Sequence, residues 1–166
     1  PTSSTSNIWG ERWAKLAVNC MSNAVSGFTG LKSAEIRENA NTRALSIRIA
    51  AELVEVATAL GISVEPISKI PGHMYIDAIK NKATMEEVER RLIDGASELR
   101  EGRPSLAQDV LKRRKTEVEQ LNGLVACEGM KAGVMTPVNQ AVLNLTKRVE
   151  SRELEPSISN LKHISF

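Results

Sequence analysis

Apolar residues recur along this chain at helical spacing, and almost nowhere do they alternate as in a strand. Trp9, Trp13, Leu16, Cys20 and Ala24 share one broad face, which predicts a helix over 8–26 broken by Gly27 and Gly30. A short helix near 34–38 follows. Leu45, Ile49, Leu53, Val56 and Leu60 then mark a long helix over 42–60, with Gly61 as its C-terminal stop. Pro66 and Pro71 make 62–72 irregular, and a short helix over 75–81 comes next. Thr84 with Glu87, Ser105 with Gln108, and Thr116 with Glu119 each match the capping-box pattern. They predict helices over 84–99, from 105, and over 116–132, the last stopped by Gly133. Thr136 before Pro137 predicts an N-cap and a proline at the first helical position, for a helix running to about 152. The expected fold is all-α, an irregular helical bundle. Residues 1–7 read as a linker and 8–166 as one helical domain.

Composition narrows the functional classes. The 166 residues suit one domain, and the 42% hydrophobic share suits a real core. Aromatics supply only 3%, so aliphatic side chains must fill that core. The net charge of +2 is spread over both signs, which argues against nucleic acid as a partner. Lys112, Arg113, Arg114 and Lys115 form one basic cluster, and a solvated helix end explains it. No apolar stretch is long enough to span a membrane. Cys20 and Cys127 read as buried free thiols of a reducing, cytoplasmic compartment. The chain begins without Met and without a signal peptide, which is expected of a segment of a longer polypeptide.

The chemistry that remains is concentrated in few places. Lys15, Asn19 and Asn23 are spaced by four and line one stripe of the first helix. A lysine set among apolar neighbours loses solvation, which disfavours its charged form and readies it to give up a proton. The two amides suit a hydroxyl or carbonyl ligand. A solvated polar face is the plain alternative, although asparagine is a poor helix former for that purpose. Ser105 opens a helix, where its hydroxyl and the first N–H groups could hold a carboxylate, or where it merely caps. Glu117 falls in an expected first turn, which suits its charge with or without a ligand. His73 and His163 lack partners at metal spacing, so no metal is expected. The glycines form no phosphate loop and no dinucleotide fingerprint.

Three blocks together resemble the C-terminal domain of the ketopantoate reductase (2-dehydropantoate 2-reductase) family. They are Trp13-Ala-Lys-Leu-Ala-Val-Asn-Cys-Met-Ser-Asn23, Ser105-Leu-Ala-Gln-Asp109 with Thr116-Glu-Val-Glu119 and Leu121-Asn-Gly123, and Gly133-Val-Met-Thr-Pro-Val-Asn139. The resemblance implies a fold like the C-terminal domain of 6-phosphogluconate dehydrogenase. It implies an N-terminal Rossmann domain of the same protein, absent from this chain, that binds most of the NADPH. Lys15 would be the general acid, Asn19 and Asn23 the substrate's oxygen ligands, Ser105 the carboxylate site, and Glu117 a carboxylate beside cofactor and reacting centre. The substrate would be a small 2-oxo acid, ketopantoate on its way to pantoate in pantothenate biosynthesis. The isolated chain would be inactive. Asparagines that some members carry at the position of Gly102, and others near Ser33, are missing, which leaves a different 2-oxo acid open. A non-catalytic helical interaction module is the alternative from another class. The surface bared without a Rossmann domain leaves a homodimer open too.

Overall fold

The computed structural model describes residues 6–99 and 102–164. The expectation that the N-terminal residues form a linker lies, for residues 1–5, outside the described residues. Helices are the regular structure throughout, and the described residues hold a single antiparallel bridge, Ile67 to Ile70.

The first helical rod starts at α1 (Ile8–Asn19), widens into a π turn (Cys20–Ala24), and resumes as α2 (Val25–Thr29). Asn7 caps α1 by accepting from the Gly10 N–H, and its amide donates to the Ser63 carbonyl at 2.8 Å. The rod ends three residues beyond the expected stop, at Gly30, whose φ of 79° is left-handed. Gly27 does not break it. A Cβ there would stand 2.3 Å from Leu106 Cδ2, so this glycine is a place of close helix contact.

After α3 (Ser33–Glu38) comes α4 (Ala40–Ala59), the axis of the domain. The sequence suggests one apolar face for α4. Instead Leu45, Ile47, Ile49, Ala50, Leu53, Val54 and Val56 are all buried, so helices surround it on several sides. Leu60, assigned to that face, is 40% exposed beyond the helix end. The end itself is a Schellman motif, with the Ile62 N–H reaching the Ala57 carbonyl and the Gly61 N–H the Thr58 carbonyl.

α5 (Gly72–Lys80) and α6 (Lys82–Asp94) form a hairpin against α4, continued by a 3-10 turn (Gly95–Glu98). The capping box expected at Thr84 is not used. Asn81, three residues earlier, accepts from the Thr84 N–H and starts α6. α7 (Ser105–Leu111) lies across α2 and the π turn. Ser105 is its first residue rather than its cap, and Gln108 turns back to the Arg103 carbonyl, so this second box is also unformed. The third fails too: residues 117–121 make turns, and α8 (Asn122–Ala132) begins only at Asn122. α9 (Pro137–Glu150) and a 3-10 turn (Ile158–His163) complete the fold.

Thr136 stands before Pro137 as expected, but its hydroxyl caps nothing. The first turn of α9 is capped from another helix. The buried carboxylate of Glu52, on α4, accepts from the Val138 and Asn139 N–H groups and from the Asn139 amide, each at 2.8 Å. Asn139 also donates to the Ile49 carbonyl and accepts from Asn122 at 2.9 Å. This network locks α4, α8 and α9 together in the interior. Of the two cysteines, Cys20 is buried, and burial pushes its thiol far above the usual range. Cys127 is exposed, contrary to expectation, because α8 turns that face outward.

Candidate functional site

The candidate site is a cavity of about 240 Å³ between the π turn, α3, the start of α4 and Pro104. Asn19 and Asn23 both line it. Residues spaced by four on an α-helix drift around its axis, because 3.6 residues complete a turn. A π turn winds by less per residue, so it turns the stripe back and keeps Asn23 in line with Asn19. Two serines hold this turn. Ser22 donates to the Val18 carbonyl at 2.7 Å, and Ser46, from α4, donates to the Met21 carbonyl at 2.9 Å.

Both amides keep bonding capacity for something other than protein. Among the described residues, the Asn19 side chain makes no hydrogen bond. That of Asn23 meets only the Ser22 hydroxyl, at 3.4 Å. Half-buried amides on a cavity wall with so few partners are poor structure and good ligand groups.

None of the remaining expected residues lines this cavity. Lys15 is exposed on α1 and does not line it, so among the described residues nothing shields it from water. Pro104 forms part of the wall, and Ser105, exposed, follows it at the rim. The close contact of Gly27 with Leu106 fixes that rim against α2. Glu117 is exposed in the turn before α8, away from the Asn19–Asn23 lining. The chain thus brings the two asparagines together and leaves Lys15, Ser105 and Glu117 on open surface.

Sequence reasoning missed several wall residues: Arg37, Arg43, Ser46 and Ser68. Arg37 and Arg43 look like ordinary helix-surface cations in the sequence. Ser68 reaches the site through a two-residue turn with positive φ at Ser68 (51°) and Lys69 (66°), which the bridge from Ile67 to Ile70 closes. No sequence signal marked it, since neither residue is the usual glycine or asparagine. No group of three or more metal-ligating side chains occurs among the described residues.

The helical fold recurs in solved structures. The fold superposes on a ketopantoate reductase from Ralstonia eutropha with a TM-score of 0.70 and 24% identity, covering 92% of this chain and 45% of that one. It superposes on D-mandelate dehydrogenase, solved with NADH and anilino(oxo)acetate, with a TM-score of 0.69 and 22% identity, covering 89% and 54%. The family described as ketopantoate reductase PanE/ApbA C terminal matches residues 7–150, and the chain belongs to that family. It is 36% identical over 140 residues to the 2-dehydropantoate 2-reductase of Pyrobaculum aerophilum, covering 84% of this chain and 43% of that protein. It is 27% identical over 139 residues to that of Archaeoglobus fulgidus, covering 84% and 40%. The chain therefore spans less than half the length of these relatives.

Proposed function

We propose that this chain is the substrate-binding and proton-donating part of an NADPH-dependent 2-oxo acid reductase acting on ketopantoate or a close analogue. The observation that carries this reading is the pair of amides, Asn19 and Asn23, aligned on one cavity with almost no protein partner. They suit the oxo oxygen and a neighbouring oxygen of a small 2-oxo acid. Ser105, at the rim, would bond the carboxylate. Lys15, one turn before Asn19, would give its proton to the oxo oxygen as hydride reaches the carbon.

The nicotinamide cofactor supplies the hydride when bound. The fit on this side is partial: the chain offers Lys15 and Glu117 as exposed polar groups and has no phosphate-cradling loop. Most cofactor contacts are therefore assigned to a Rossmann domain joined to residues 8–166. Such a domain would cover Lys15 and exclude water from the cleft, where inter-domain sites usually lie.

The test is activity of the chain joined to its nucleotide-binding domain. Reduction of ketopantoate with NADPH is expected, and Lys15→Ala should lower kcat by about a thousandfold, in line with general-acid loss. Near-normal turnover by that variant would remove Lys15 from the mechanism. Self-association is a second reading, supported by Met130 and Met135, which are 77% and 81% exposed around an apolar groove at the α8–α9 junction. Sedimentation should then show a homodimer, and a monomer at high concentration would refute it.

A further inference from the structure

The core fixes the first helical rod on both sides of its π turn. Ala17 before the turn, Cys20 and Ala24 at its two ends, and Val25 and Phe28 beyond it are wholly buried. The rod therefore cannot rotate as a unit to absorb a change in winding. The π turn (Cys20–Ala24) absorbs it locally, on the stretch that carries Asn23. Such turns are rare inside helices and gather at functional sites.

A different helix holds this turn from outside. Ser22 bonds back to Val18 on its own rod, so it can only follow that rod. Ser46 belongs to α4, and its buried hydroxyl reaches the Met21 carbonyl across 25 residues of chain. Ser46 also lines the cavity with Asn19 and Asn23. A hydroxyl has one proton to donate, and that of Ser46 goes to Met21. Toward the cavity it presents lone pairs. The oxo and carboxylate oxygens of a 2-oxo acid are acceptors too, so Ser46 has no donor for them while it holds the turn.

We propose that Ser46 is a positioning residue of this site. Through the Met21 carbonyl it fixes the π turn, and so keeps the Asn23 amide in line with that of Asn19. It touches no reacting atom. This rests on the reductase reading and deepens it, because two amides hold two oxygens of one small acid only while their spacing is fixed.

One test needs no turnover. Hydrogen exchange of the chain should show the backbone N–H groups of residues 22–26 opening about five- to tenfold faster in Ser46→Ala, the worth of one buried hydrogen bond, with α8 unchanged. Unchanged protection of 22–26, or an equal loss in α8, would overturn the assignment. The other test is a double-mutant cycle in the chain joined to its nucleotide-binding domain, with ketopantoate and NADPH. Ser46→Ala should lower kcat/KM about tenfold, and Ser46→Thr, which keeps the hydroxyl, should recover most of the loss. In an Asn23→Ala background nothing remains to be aligned with Asn19, so Ser46→Ala should lower the rate by no more than about twofold. The same tenfold loss in that background would mean that Ser46 meets substrate directly, and the positioning role would fall. If Ser46→Ala fails to fold, Ser46→Cys, a weak donor of similar size, replaces it in both tests. If the joined wild type reduces no 2-oxo acid, the reductase reading falls and the positioning role with it. Hydrogen exchange then still decides whether Ser46 holds the turn.

Discussion

Two pairs of asparagines show how one residue type serves two ends in this domain. Asn122 and Asn139 are wholly buried and bonded to each other, to Glu52 and to a carbonyl of α4. Asn19 and Asn23 are half-buried and lean on almost nothing but a cavity. The first pair is spent on joining helices. The second is held in reserve by a π turn that two serines brace. Sequence blocks contain both pairs in equally suggestive motifs, so only the hydrogen-bond partners separate structure from function.

The largest effect should come from breaking the spent pair. Glu52→Ala leaves the Val138 and Asn139 N–H groups buried without an acceptor, and uncaps α9. Removing one side of a buried charged network costs about 3–5 kcal/mol. Urea unfolding of this variant should show a loss of that order. A loss under about 1 kcal/mol would mean that the network contributes little.

The reserved pair should respond in the opposite sense. Alanine is a better helix former than asparagine by about 0.5 kcal/mol, and Asn19 gives up no protein bond when replaced. Asn19→Ala should therefore leave unfolding unchanged or slightly strengthened. In the joined protein it should lower kcat/KM about ten- to hundredfold, the worth of one or two substrate hydrogen bonds. Destabilisation with full activity would reverse the comparison.

Much of this was legible in the sequence. Trp13, Cys20 and Ala24 drove a helical reading that the fold bears out, and Gly61 and Gly133 stop helices by the expected left-handed geometry. The stripe of Asn19 and Asn23 was visible because spacing by four is a local property. What escaped was non-local. The expected capping boxes at Thr84, Ser105 and Thr116 fail because Asn81, Pro104 and the turns after Thr116 set those helix starts, while Glu52 caps α9 from 86 residues away. Arg37 and Ser68 meet across 31 residues through a turn lacking its usual glycine. Pattern reasoning sees periodicity, and it does not see which distant polar groups converge.

A third variant probes how the fold holds the rim of the reserved pair. Gly27→Ala places a methyl 2.3 Å from Leu106 Cδ2, which must swing away or carry α7 with it. Overpacking of this kind costs about 1–2 kcal/mol. Because α7 begins at Ser105, KM should rise more than kcat falls. An unchanged KM with reduced stability would detach Ser105 from substrate binding.

The smallest effect is a pH dependence of Glu52, the carboxyl to which the spent pair is tied. Burial pushes the Glu52 carboxyl above its ordinary range. The N–H groups of Val138 and Asn139 pull it down, Glu55 adds a small upward push, and burial wins. A carboxyl whose folded pKa exceeds its unfolded one holds its proton more tightly when folded. Its contribution to stability is thus complete below about pH 4, and is lost as pH rises through the raised folded value. Glu52→Gln has no proton to release there. The stability of the wild type relative to Glu52→Gln should therefore decline from acid toward neutral pH. Unfolding curves for both proteins across that interval measure the decline. A gap that widened with pH would show that the three donors outweigh burial, and that Glu52 works in the interior as a settled anion.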